Sequence, residues 1–297
     1  MNNPKMSSRP GRGVLPYLAL ASGILALSLS SLFVRWAEAP GMISAFYRML
    51  GASVVLIPVV LRRNARSAPI DRRWWFLPLL GGVFTALDHA TWATSIGLTR
   101  VATATLLNNI APLWVALVAV LIWKEKLRGW FWLGLAFTLS GAVVILGSDL
   151  LSRPHLGGGD ALAVISSLFY AGYFLTTQRG RQHFDTLRYI WLVTATAAVI
   201  LLVLNLAFGN PFSGYSAKTY LAFVGAALIS QILGYFSVGY ALGHLPAALV
   251  APTMIAQPVL TALLAIPLAG ESLLPAQILG GVAVLAGITL INRSRGA

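Results

Sequence analysis

There is no cysteine in the 297-residue chain, and charge is scarce: 10% of residues are Asp, Glu, Lys or Arg, and only 8 are acidic. Without cysteine, no disulfide framework and no thiolate metal site can form. A soluble domain carries about 25% charged residues, so this chain lacks the polar side chains to cover a water-facing surface of its size. That argues against a soluble enzyme and against a disordered protein. The motifs of bond-breaking chemistry are missing too. There is no G-x-x-x-x-G-K-[ST] run for ATP and no G-x-S-x-G elbow. The four histidines, at 89, 155, 183 and 244, have no metal-ligand spacing. No cofactor and no metal are expected.

What is present is apolar: 58% of residues are hydrophobic, and the mean hydropathy is +0.79. Apolar runs bounded by charge or by Gly and Pro fall at 14–36, 41–61, 74–97, 101–123, 129–147, 159–178, 188–208, 218–242, 246–269 and 273–292. Each is near the length of about 20 residues that a helix needs to cross a bilayer. Barrel strands would be about half as long and would alternate. The expected fold is an all-α integral membrane protein of ten transmembrane helices.

A formal net charge of +13 with pI near 10.8 first suggests nucleic acid. The placement of the charge argues otherwise. With the N-terminus inside, all but five of the 21 basic residues fall in the tails and connections on one side. Arg35, Arg100, Arg153 and Lys218 lie on the other, and Arg48 lies within a span. The positive-inside rule then puts both termini in the cytoplasm, in a multi-pass membrane protein of the bacterial inner-membrane type. The basic side would sit well against anionic lipid, and no nucleic-acid partner is expected. Ala37-Glu38-Ala39 resembles a signal-peptide cleavage site, but the preceding run exceeds the usual 7–15 residues. Cleavage would also spoil the repeat.

That repeat appears when the chain is slid against itself by 146 residues. Gly97–Ile145 aligns with Gly243–Ile291 without a gap, so that Pro112 meets Pro258, Glu125 meets Glu271, Gly134 meets Gly280 and Gly141 meets Gly287. Units of five helices are odd-numbered, so the second must enter the membrane the opposite way. Such inverted repeats are frequent in secondary transporters, with the substrate site near the midplane between them. Two five-helix units, each with a Pro before a span end, an acidic residue in the turn between helices four and five and a Gly-rich last helix, resemble the drug/metabolite transporter superfamily. More narrowly they resemble EamA-type units, over 14–147 and 159–292. The resemblance implies a carrier working by alternating access, with the aromatic amino-acid exporters as one group it could join. It does not specify a substrate.

Ionisable residues at depth mark functional candidates. Arg48, Asp88 with His89, and Asn108 with Asn109 each lie about 10–13 Å in from the outer ends of the second, third and fourth spans. An Arg48–Asp88 ion pair is the economical inference, as packing scaffold or as an outer gate and protonation site with His89 as relay. The repeat partners of Asp88 and His89 are Gly234 and Tyr235, and those of Asn108 and Asn109 are Met254 and Ile255. Scaffold symmetry therefore does not explain the layer. Adjacent Asp88 and His89 point about 100° apart on a helix, which does not suit a paired catalytic centre.

Nearer the midplane lie Phe84 and Trp92, Tyr170 and Tyr173, Gln231, Tyr235, Tyr240 and Gln257. Aromatic walls with a few amides and hydroxyls would suit a small amphipathic solute. Packing aromatics are the plainer reading. Trp74, Trp75, Trp123, Trp130 and Trp132, at span ends, read as interfacial anchors. Pro112 and Pro258 are helix-bend candidates beside the cavity, with the Gln257 amide placed to satisfy a freed carbonyl. Glu125 and Glu271 read as caps or ion-pair partners in the short turns. The glycines of the fifth and tenth spans mark a close contact between repeats, or between two copies in a homodimer. The expectation is a secondary carrier of small metabolites, more an exporter than an importer, moving amino acids or related amphipathic solutes. Uptake of a vitamin or nucleoside-like solute, export of a larger amino-acid-derived metabolite, and a passive channel or scramblase stand as alternatives.

Overall fold

A computed structural model describes residues 13–64, 70–99, 101–146, 157–269 and 275–296. Glu271 and His155 lie outside the described residues. Within them the chain is helical, with no strand: α1 (Leu15–Ser28), α2 (Ser30–Ala37), α3 (Gly41–Asn64), α4 (Phe76–Leu98), α5 (Val101–Asn108), α6 (Ala111–Leu121), α7 (Gly129–Leu146), α8 (Gly158–Gly180), α9 (Thr186–Ala207) and α10 (Ala217–Gly225). A π-helical segment, Ala226–Tyr235, leads into α11 (Phe236–Leu242), followed by α12 (Ala247–Thr253), α13 (Ala256–Ala269) and α14 (Pro275–Gly296).

Eight helical stretches among the described residues are long and apolar enough to cross a membrane, and Gly129–Ile145 is a shorter apolar helix. Helix α4 has 23 residues but falls outside the eight. Asp88 and His89 halfway along lower its hydropathy. Helices answer the bilayer's demand that every backbone group be satisfied within its own segment. Their starts are marked where the chain emerges. The Asp185 carboxylate caps α9 by accepting from the Leu187 and Arg188 N–H groups, and the Ser216 hydroxyl caps α10 by accepting from Thr219 N.

Three apolar stretches are broken rather than straight. The break between α5 and α6 falls at Asn109–Ile110, ahead of Pro112, and that between α12 and α13 at Met254–Ile255, ahead of Pro258. In both, the proline lies in the first turn of the following helix, where its missing N–H costs nothing. The third break, at Leu29 between α1 and α2, is bound from α13: Gln257 Nε2 donates to Leu27 O (3.1 Å), Ser28 Oγ to Gln257 O (3.2 Å) and Thr261 Oγ1 to Ser28 O (3.0 Å). Gln257 therefore serves the end of α1 rather than a carbonyl of its own helix.

The closest packing joins α7 and α14. A Cβ on Gly134 would stand 2.7 Å from the Gly287 carbonyl oxygen, and one on Gly287 would stand 2.5 Å from that of Gly134. Gly141 and Gly280 repeat the relation at 2.5 and 2.7 Å. The helices cross antiparallel, backbone on backbone, inside one chain. Helix α4 packs along α8 and α9, and α3 packs on α9. Under the 146-residue shift this pattern returns to itself. The α4–α8 contact maps onto that between α1 and the π segment with α11, the α4–α9 contact onto that of the π segment with α3, and the α3–α9 and α7–α14 contacts onto themselves.

Candidate functional site

Four helices converge on the buried charged layer: α3 brings Arg48, α4 brings Asp88 and His89, α5 ends at Asn108, and α8 adds Ser166. Arg48 is 7% exposed and Asp88 8%, so each must find partners inside the protein. Asp88 Oδ1 accepts from Ser166 Oγ at 2.6 Å and from Asn108 Nδ2 at 2.9 Å. Asn108 also donates to Ser166 Oγ at 2.7 Å, and Ser166 reaches Asp88 O at 3.0 Å. One carboxylate thus ties together α4, the break after α5, and α8.

The expected Arg48–Asp88 ion pair does not form. Arg48 donates instead to Ser30 Oγ at 3.1 Å, to His89 Nε2 and to the Tyr235 hydroxyl, while its Nε is buried without a partner among the described residues. Helical rotation explains the exchange. Asp88 and His89 are adjacent and so face different neighbours; the histidine turns toward α3 and the carboxylate toward α5 and α8. His89 Nδ1 lies 2.8 Å from Thr85 O and 3.5 Å from Asp88 Oδ2. The proton therefore sits on Nδ1, and Nε2 accepts from the guanidinium. Both ring nitrogens are thus engaged.

Aromatic rings wall this layer. Tyr170 and Tyr173 of α8 stack at 6.4 Å, Tyr173 meets Tyr235 edge-on at 5.5 Å, and Arg48 Cζ lies 5.8 Å from the Tyr235 ring centre. Tyr235 ends the π segment, a helix form that often marks functional positions. Gln231, on the same segment and 1% exposed, donates to Thr194 Oγ1 at 3.1 Å and leaves its Oε1 buried without a partner among the described residues. The Tyr173 hydroxyl is likewise buried, with Thr177 one turn on beside it.

The other expected residues lie apart. Trp92 is half-buried one turn beyond Asp88 and makes no ring contact with the three tyrosines. Asn109, in the break after α5, bonds back to Thr105 O at 2.8 Å. Tyr240 packs on His244 past the end of α11. Phe84 lies on the α4–α8 seam, against Phe169 and Gly172. Sequence reasoning missed Ser30 and Ser166, because serines are too common in these spans to stand out singly. The signal was the spacing of Ser166, Tyr170 and Tyr173, which share one face of α8.

A second set of contacts gathers around the C-terminal end of α8. Gln178 Oε1 accepts from Ala247 N at the start of α12 (2.6 Å), and the Arg179 guanidinium lies 4.5 Å from the Trp123 ring centre. Arg181 donates to Gly239 O at 3.0 Å and to Phe184 O, and His183 stacks on Trp74 at 3.7 Å. Burial pulls the Arg181 guanidinium below its usual range, against the opposing pull of Asp185. Trp74 and Trp123 are therefore inter-helix contacts as well as span-end residues. Trp75, Trp130 and Trp132 are exposed at 44%, 61% and 36%.

Known proteins resemble this chain in sequence, and one solved structure resembles it in fold. An "Uncharacterized transporter" of Archaeoglobus fulgidus is 24% identical over 93% of this chain and 95% of its own length. A "Riboflavin transporter" of Rhizobium johnstonii is 25% identical over 80% of this chain and 77% of its own. A "Probable terminal-alkyne amino-acid exporter" of Streptantibioticus cattleyicolor is 29% identical over 64% of each. A solved crystal structure superimposes with a TM-score of 0.78 at 19% identity, over 94% of this chain and 97% of that one. The sequence pattern of the EamA-like transporter family matches twice, at residues 14–147 and 157–293. A chain that carries two such units on a membrane-compatible helical fold belongs to the EamA-like transporter family.

Proposed function

We propose that this chain is a secondary carrier of small metabolites in the cytoplasmic membrane, exporting amino acids or related amphipathic solutes by alternating access. The reading assigns ten spans as two inverted five-helix units with both termini cytoplasmic, counting α4 and α7 among the spans. The observation that carries it is the buried layer of Arg48, His89, Asp88, Asn108 and Ser166, which draws on both family units and is walled by Tyr170, Tyr173 and Tyr235. A charged group at such depth is costly and is retained where a polar solute must pass. Broken helices beside it supply free backbone groups and bending points, the arrangement found at midplane sites of carriers. The amino-acid exporter among the relatives supports the solute class, while the riboflavin transporter favours a second reading, carriage of a vitamin-like solute.

The test is solute counterflow in proteoliposomes, with labelled amino acids against a panel of unlabelled metabolites including riboflavin, with and without a pH gradient. Saturable exchange with amino acids supports the reading. Exchange with riboflavin alone transfers the assignment to the second. A flux that neither saturates nor shows counterflow describes a pore and overturns both.

A further inference from the structure

We infer that Arg48 is the seat of a carboxylate on the transported solute. The inference rests on the carrier reading above and deepens it to the group that is recognised. Among the described residues, the partners of the Arg48 guanidinium are Ser30, the neutral ring of His89 and the Tyr235 hydroxyl, and its Nε–H has none. A guanidinium offers five donors in a planar fork that matches a carboxylate in two parallel hydrogen bonds. Here the fork is buried, under-satisfied and paired with no anion, although a carboxylate lies one residue from its histidine partner. Asp88 is already engaged by Ser166 and Asn108. The hydrogen bonds of this acid thus go to neutral partners and not to Arg48. A buried cation held only by neutral groups is a costly arrangement, which an arriving carboxylate relieves by displacing His89 and taking the free Nε–H. Tyr235, whose ring centre is 5.8 Å from Arg48 Cζ, and Tyr173 beyond it offer an apolar face to the rest of such a solute. The ligand class is a small carboxylate with an apolar or aromatic body, of which an amino acid is one case.

Two measurements separate this inference from the transport reading. In counterflow with labelled phenylalanine, unlabelled phenylalanine and its deaminated acid, 3-phenylpropionate, are expected to compete. Phenylalaninamide and phenethylamine, which lack the carboxylate, are expected to compete at least tenfold less well. In thermal unfolding of the purified protein in detergent, 3-phenylpropionate is expected to raise the midpoint where 3-phenylpropanamide does not. Arg48→Gln is expected to abolish that difference and Arg48→Lys to keep part of it, with the ligand-free midpoints reporting on folding. Exchange in which amide and amine compete as well as the acid overturns the inference and leaves the carrier standing. A carboxylate-specific, Arg48-dependent shift without counterflow upholds the anion site and overturns the transport reading. Neither shift nor exchange overturns both.

Discussion

Asp88 illustrates how far single residues could be read from the sequence. Counting 1.5 Å per residue suggests that Arg48, Asp88, His89 and Asn108 lie close together, and the structure brings them into one network. Their pairing was not legible, because depth does not fix rotation, and a rotation of about 100° decides whether Arg48 meets the acid or the histidine. Protonating Asp88 would turn the charged acceptor of the Ser166 and Asn108 bonds into a weaker, neutral one and loosen the tie between α4, α5 and α8. Asp88→Asn keeps the shape and removes the titration, so it is expected to abolish the pH dependence of counterflow; unchanged pH dependence in a folded variant would assign Asp88 to structure. Tyr235 and Trp92 were equal candidates in the sequence, and the structure separates them. Tyr235→Ala should reorder the preferences among solutes by tenfold or more, since its ring faces Arg48 and Tyr173. Trp92→Ala, outside that ring set, should leave the order as it is, which competition counterflow on both variants would show.

Helix boundaries were the best-read feature at the level of elements, because charge and Gly/Pro punctuate apolar runs strongly. The breaks were only half visible. Prolines announce those at Asn109–Ile110 and Met254–Ile255, but nothing local announces the one at Leu29, which depends on hydrogen bonds from α13, more than 200 residues away. The glycine seam allows a sharp test. Gly141→Ala would place a methyl group 2.5 Å from the Gly280 oxygen, and overpacking of this kind costs about 1–3 kcal/mol. Gly97→Ala, with nothing within 4 Å of the added Cβ, should be neutral or slightly stabilising. Thermal unfolding of both variants in detergent would show the contrast. At the α8 end, burial and then the nearby Arg73 hold the His183 ring below its ordinary pKa. The unfolded chain therefore binds that proton more readily, and the stability given by the neutral ring stacked on Trp74 is present above about pH 6.5 and fades as pH falls. Melting of the wild-type protein should decline between about pH 7 and pH 5, and less steeply in His183→Phe.

Across the whole molecule, the repeat offset found in the sequence reappears in the contacts, which map onto themselves under the same 146-residue shift. The sequence showed the similarity of the halves but not where they meet, because a glycine face reads alike whether it serves this chain or a second copy. Topology can be tested directly, since the chain has no cysteine to confuse labelling. Ser213→Cys, between α9 and α10, should react with a membrane-impermeant maleimide in intact cells; Gln182→Cys, past α8, should react only after permeabilisation. The reverse pattern would invert the proposed orientation.

The seam between α7 and α14 has one more consequence. Gly134 faces Gly287 and Gly280 faces Gly141, while the offset equates Gly134 with Gly280 and Gly141 with Gly287. Each unit therefore presents the same two-point surface to the other, as subunits do across an isologous interface. A five-helix half made alone would already own a self-complementary face. Joining two halves in one polypeptide keeps that geometry while freeing each to diverge, and this chain has placed the Asp88–His89 pair in the first half alone, where the second has Gly234 and Tyr235.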